Sequence, residues 1–140
     1  MQANKIKVNK KWIQVSEERF EKCGYELIGN ILKNDELPTA ILVVYDDIAI
    51  GAIKAIHDKG LKVPDDIKVP DDISVVGIDN IRMASYCCPE LTTIAGPIEE
   101  LGKITVNLLF KKVKEPEYRI VQNIKLTPVF IERKSVKSIN

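Results

Sequence analysis

Histidine is almost absent from this chain: His57 is the only one in 140 residues, beside a single tryptophan. His57 falls late in a helical pattern with no Ser or Cys nucleophile placed beside it, so it reads as a surface residue and offers no catalytic triad. The glycines form no phosphate-cradling loop, and Cys23, Cys87 and Cys88 lack metal-type spacing. The vicinal pair Cys87-Cys88 reads as reduced thiols, and Cys23 as a small buried hydrophobe. Glu99-Glu100 gives no acid–base pair, because neighbouring helix residues point apart. These absences predict a non-enzyme with neither cofactor nor metal. No apolar run approaches the ~20 residues of a membrane-spanning helix. Nor does a signal-length apolar segment follow the basic start MQANKIKVNKKW, so no membrane partner and a cytoplasmic location are expected. The net charge of +1 lacks the positive excess that holds nucleic acid, and no helix-turn-helix pattern is evident. The small cluster Lys5, Lys7, Lys10 and Lys11 has no aromatic interleaving and reads as a solvated end.

What is present is the balance of a soluble globular domain, with 45% apolar and 29% charged residues in a length suited to one domain. Trp12 to Val15 is short and apolar, and Ser16-Glu17-Glu18 suits a helix start. Phe20, Gly24, Leu27, Ile28, Ile31 and Leu32 then recur at helical spacing, predicting a helix from about Glu18 to Lys33. Thr39 to Val44 reads as a buried strand of the kind parallel sheets use. Tyr45-Asp46-Asp47 caps a second helix, with carboxylates where the helix dipole favours them, and Gly60 is its stop. Pro97 opens a third helix whose stripe is Ile98, Leu101, Ile104, Thr105, Leu108 and Leu109. Tyr118 to Leu126 and Val129 to Ile131 read as two strands, and Glu132 to Asn140 as a frayed tail. Strand alternating with helix predicts an α/β fold: a three-layer, doubly wound, mostly parallel sheet.

The stretch around which the rest is organised is Ile73–Pro97, ISVVGIDNIRMASYCCPELTTIAGP. Ile73, Val75 and Val76 form a strand that closes at Gly77-Ile78-Asp79-Asn80, the end at which open α/β sheets place their ligand crevice. Asp79 there can accept hydrogen bonds from ligand hydroxyl or amino groups, or can bond local backbone amides instead. Asp46 reads both as a helix cap and as a residue lining the crevice edge. Tyr45 either stacks on a ligand or covers the sheet. Just before this stretch, Lys62-Val63-Pro64-Asp65-Asp66-Ile67 is repeated as Lys68-Val69-Pro70-Asp71-Asp72-Ile73. Two such units cannot stack a core, so one copy is expected to loop out at the surface, where loop length is tolerated. The second copy, whose Ile73 runs straight into the strand, is the one expected to lead from helix to sheet.

Gly77, Ile78 and Asp79, then Pro89, Leu91-Thr92-Thr93 and Pro97, resemble a signature of bacterial transcription regulators of the LacI/GalR family. Pro38-Thr39-Ala40, with Tyr45-Asp46 before Ile48-Ala49-Ile50-Gly51, resembles their second signature, and Ile131-Glu132-Arg133-Lys134-Ser135 the closing one. The likeness runs from about Trp12 to Val136, and the Asp79–Arg82 and Glu132–Val136 regions look closest to purine-repressor-like members. It implies a periplasmic-binding-protein-like type I lobe, here incomplete, that clamps a small effector against a second lobe. Residues 1–94 and 119–140 would belong to the C-terminal lobe, and residues 95–118 would cross to the N-terminal one. Operator DNA would be bound only through a helix-turn-helix segment that this chain lacks, usually as a homodimer. The expected effector is a sugar, a sugar phosphate or a purine, held by Asp79, Asp46 and Tyr45. Where family members often carry Asn or Ser, this chain has Tyr45, which alters polar recognition. Missing elements would leave a sheet edge and apolar helix faces for a partner subunit to cover. The competing expectation is an oligomerisation remnant that binds no effector. A transport solute-binding protein is disfavoured by the lack of a signal peptide.

Overall fold

A computed structural model describes residues 9–60 and 68–138. Its main elements are α1 (Phe20–Ile31), β1 (Ala40–Leu42), α2 (Asp46–Gly60), β2 (Ser74–Ile78), β3 (Thr92–Ala95), α3 (Ile98–Lys114) and β4 (Val129–Ile131). Short 3-10 turns lie at Lys10–Trp12 and Arg82–Ser85. The sheet runs β1-β2-β3-β4, with β1, β2 and β3 parallel and β4 antiparallel to β3. This is the expected α/β fold on a mostly parallel sheet.

The core lies on one face of the sheet. Ile73, Val75 and Gly77 are buried in and beside β2, whereas the alternating residues Ser74, Val76 and Ile78 are only half-buried. A parallel strand that is apolar on both faces is built to be covered on both, and among the described residues the second face is covered only in part. Ala49, Ala52, Ile53, Ala55 and Ile56 of α2 recur at helical spacing and pack with Val75 and Leu91. Asp46 and Asp47 occupy the first turn of α2, where the helix dipole favours negative charge. Behind α2 lies α1, which meets it at close range along Gly24 and Gly51. By contrast, α3 buries none of its residues, and Leu101, Leu109, Phe110 and Val113 stand exposed. The chain is therefore a partial domain with an amphipathic helix that has nothing to pack on among the described residues.

Several expectations are corrected. The first helix begins at Phe20 rather than Glu18, with Arg19 at its N-cap. The run Thr39–Val44 forms only a three-residue strand at the sheet edge, not a buried one, and Leu42 is 68% exposed. Tyr118–Leu126 forms no strand and joins none of the four strands, because a strand needs a ladder partner and none pairs with it among the described residues. The tail is tied down as far as Lys137: the Ser135 hydroxyl donates to the Val75 carbonyl at 2.6 Å and accepts from the Thr92 N–H at 2.8 Å, and the Lys137 N–H donates to Ser74 Oγ at 3.2 Å. In the tandem repeat, Ile73 of the second copy is fully buried and leads into β2 as expected. The first copy lies outside the described residues.

Candidate functional site

Because β1 and β2 are parallel, the residues that follow them emerge at one edge of the sheet. Tyr45 follows β1 and Asp79 follows β2, and both are exposed. Asp79 has φ 120° and Asn80 φ 55°, a region that non-glycine residues rarely enter. Such backbone strain costs of order 1–3 kcal/mol per residue and persists only where the surroundings hold it. Here three successive amides are gripped from three directions. Asp79 N–H donates to the Ile94 carbonyl at 2.9 Å. Asn80 N–H donates to Thr93 Oγ1 at 3.3 Å, and Ile81 N–H to Asp46 Oδ2 at 3.0 Å.

Thr93 links these grips, since its hydroxyl also donates to Asp46 Oδ1 at 2.6 Å. Asp46 is 0% exposed, and both its oxygens are engaged within the protein. It lies beneath the turn and cannot line a crevice wall, which corrects the expectation that it touches a ligand. A Cβ at Gly77 would collide with its carboxylate, so the strand must carry glycine there. A second brace comes from the C-terminal signature. Arg133 Nη2 donates to Asn80 Oδ1 at 2.7 Å and Nη1 to the Leu91 carbonyl at 2.7 Å, while its backbone N–H donates to Thr92 Oγ1 at 2.9 Å.

The structure adds Arg19, which sequence reasoning missed. Its guanidinium lies 4.7 Å from the Tyr45 ring centroid, a cation–π contact at the crevice edge. A single basic residue before a helix gives no signal of this in the sequence. Thr93 and Arg133 were visible as parts of motifs, but their bracing roles were not.

Partial removal from water, and then the like charges of Asp46 and Asp47, push the Asp79 carboxyl above its ordinary value of 3.8, with Arg19 opposing. A carboxyl raised in the folded state stabilises the fold fully below the unfolded value and loses that contribution as pH rises through the folded one. Asp79→Asn is therefore expected to be more resistant to urea than the parent at neutral pH. That advantage should vanish below the ordinary carboxylate value. An advantage independent of pH would contradict this electrostatic account.

All three cysteines are free thiols. Burial pushes the Cys87 thiol up, and its single S–H has the carbonyl oxygens of Ala84 at 3.4 Å and Pro89 at 3.2 Å as acceptors, so it is poorly suited to act as a nucleophile. Among the described residues no group of three or more His, Cys, Asp or Glu side chains could hold a metal. No described helix is long and apolar enough to cross a membrane.

Residues 1–136 match the family model of the periplasmic binding protein-like domain. The chain is 43% identical over 142 residues to the HTH-type transcriptional repressor PurR of Histophilus somni, covering 99% of this chain and 39% of that one. It is also 43% identical to PurR of Pasteurella multocida, over 95% of this chain and 37% of the relative. Among solved structures it resembles a LacI family transcriptional regulator of Enterococcus faecalis with bound ribose. There the identity is 32% and the TM-score 0.75, over 88% of this chain and 43% of that one. A LacI-type regulator of Bacillus cereus subsp. cytotoxis shares the fold at TM-score 0.87, over 99% of this chain and 46% of that one. The chain thus spans about two-fifths of the length of the curated relatives it matches. With its parallel sheet, strained Asp79 turn and bracing signature, this chain belongs to the periplasmic-binding-protein-like domain family, in the form found in LacI-family transcription regulators.

Proposed function

We propose that this chain supplies one wall of an effector site in a LacI/GalR-type transcription regulator, with Asp79 as the hydrogen-bond acceptor and Tyr45 and Arg19 beside it. The observation that carries the reading is the turn at Asp79. An aspartate on a strained backbone turn, at the carboxyl end of a parallel strand and with three successive main-chain amides held, presents its carboxylate from main chain that is fixed before a ligand arrives. Hydroxyl and amino groups are its complement, which suits a sugar or a purine. A sugar phosphate would have Arg19 as its counter-charge. The Enterococcus faecalis regulator with bound ribose supports the sugar class. Asp46 acts as a positioning residue under the turn.

In this reading residues 1–94 and 119–140 form the C-terminal lobe, and residues 95–118, carrying α3, cross to a second lobe that covers the exposed α3 stripe. Closure of two lobes on an effector would shift a homodimer's fit to operator DNA, bound through a segment outside this chain, in the cytoplasm and without catalysis. Half a clamp binds weakly, because desolvation from the far side is lost. A thermal-shift screen against sugars, sugar phosphates and purines tests the proposal. A ligand at ~100 times its Kd adds about 2.7 kcal/mol of stability, a shift that Asp79→Ala should abolish. No shift from any ligand in a cooperatively melting protein would sink the effector reading. It would favour an interaction remnant, for which the uncovered α3 stripe and sheet edge already speak.

A further inference from the structure

A groove of about 400 Å³ lies beside β1; Arg19 and Tyr45 belong both to its lining and to the rim of the candidate site, whereas Asp79 does not line it. Residues 12–19 form one wall and residues 41–45 the other, over a floor that includes Leu27, Ile28 and Ile31 of α1. The Val43 N–H donates to the Val76 carbonyl, and the Thr39 carbonyl accepts from Ser74 N–H, so the odd-numbered residues of this run face β2. By alternation the peptide groups of Ala40 and Leu42 face the open edge, where no strand among the described residues pairs with them.

The same chain carries an unsatisfied donor. Tyr118–Leu126 reads YRIVQNIKL, with no Gly, Pro or acidic residue and with strand-forming Ile120, Val121 and Ile124. In the structure it has no regular secondary structure and joins none of the four strands, and Val121 is 93% exposed. Charge agrees as well: Arg119 and Lys125 bracket the apolar residues, and Glu17 and Glu18 stand on the groove wall. Donor and acceptor sit at opposite edges of the sheet, since the segment leads into β4 while the groove adjoins β1.

We propose that the groove accepts the Tyr118–Leu126 segment of a second copy of this chain as an added strand next to β1, reciprocally, in a closed pair. The added strand satisfies the edge amides, covers Leu42 and Val44, and lays its apolar side chains over the α1 floor. Reciprocity uses the donor and groove of both copies, so assembly stops at two.

Size-exclusion chromatography with light scattering, paired with amide hydrogen exchange, tests this. The parent is expected to dimerise with rising concentration, with protection appearing at the Ala40 and Leu42 amides. Val121→Pro falls in an exposed, unpaired segment, so the melting temperature of the monomer should not change. It should nevertheless stay monomeric with those amides exchanging freely, and a synthetic peptide of residues 118–126 should restore their protection. A parent that stays monomeric and unprotected at high concentration overturns the proposal. So does a dimer that survives Val121→Pro, which would point to the α3 stripe. Protection already complete in the monomer would place a segment of the same chain in the groove, and also defeats it.

Discussion

Asp46→Ala should lower the stability of this domain by about 3 kcal/mol. The substitution strips the acceptor from a buried donor, the Thr93 hydroxyl, and from a part-buried one, the Ile81 N–H. Each buried donor left without a partner costs about 1–3 kcal/mol. Two effects pull the sum down: the Thr93 hydroxyl can rotate toward another acceptor, and a charge no longer has to be kept out of water. Asp46→Asn keeps the volume and one acceptor, so it should fall between parent and alanine. The damage should reach the candidate site, because the Ile81 N–H is one of three grips on the strained turn. Urea unfolding checks the magnitude, and amide exchange at Asp79 and Asn80 checks the propagation. A loss below about 1 kcal/mol, with the turn amides unchanged, would mean that Asp46 is incidental to the turn.

The second large effect is expected from Gly51→Ala. A Cβ at Gly51 would collide with the backbone of Glu21 in α1, and one at Gly24 would collide with the backbone of Ile48 in the facing helix. Because the obstacle is main chain, no rotamer change relieves it, and α1 must move away from α2. Overpacking usually costs about 1–3 kcal/mol, and backbone against backbone belongs at the upper end. Alanine's better helix propensity returns about 1 kcal/mol of that. For a chain of this size the net loss corresponds to a fall in Tm of roughly 5–10 °C. Gly29→Ala and Gly102→Ala are the controls: a Cβ at either position meets nothing within 4 Å, so both should be neutral or slightly stabilising. Equal effects at all four sites would contradict the close-crossing account.

How much of this could be read from the sequence depended on what each residue's environment required. The acidic cap Tyr45-Asp46-Asp47 with its stop at Gly60, and the run Ile73–Val76 before Gly77-Ile78-Asp79, predicted α2 and β2 with its closing Asp79, because local pattern and burial agree there. Tyr118–Leu126 failed for the opposite reason. Its composition is that of a strand, but strand formation needs a neighbour in space, and no local rule supplies one. Thr39–Val44 has the apolar content of a central strand and lies at an edge, again because sheet position is a property of the neighbours. At the site, the sequence marked Asp79, Tyr45 and Asp46 as a group, and the structure separates them by depth: two exposed at the rim, one buried beneath it. Arg19 had no local signal, since its role arises only from α1 folding back beside Tyr45.

The most direct test of the effector reading is a titration of isotope-labelled protein with ribose, then with a purine base, followed by amide chemical shifts. A half-site built on the Asp79 turn predicts saturable shifts clustered at Arg19, Tyr45, Asp79 and Asn80. It also predicts little change along α3, and loss of the cluster in Asp79→Ala. Shifts confined to groove residues away from the turn, such as Leu27, Ile28, Ile31 and Leu42, or none with any effector class, would contradict it and leave the chain as a lobe that acts through protein contacts.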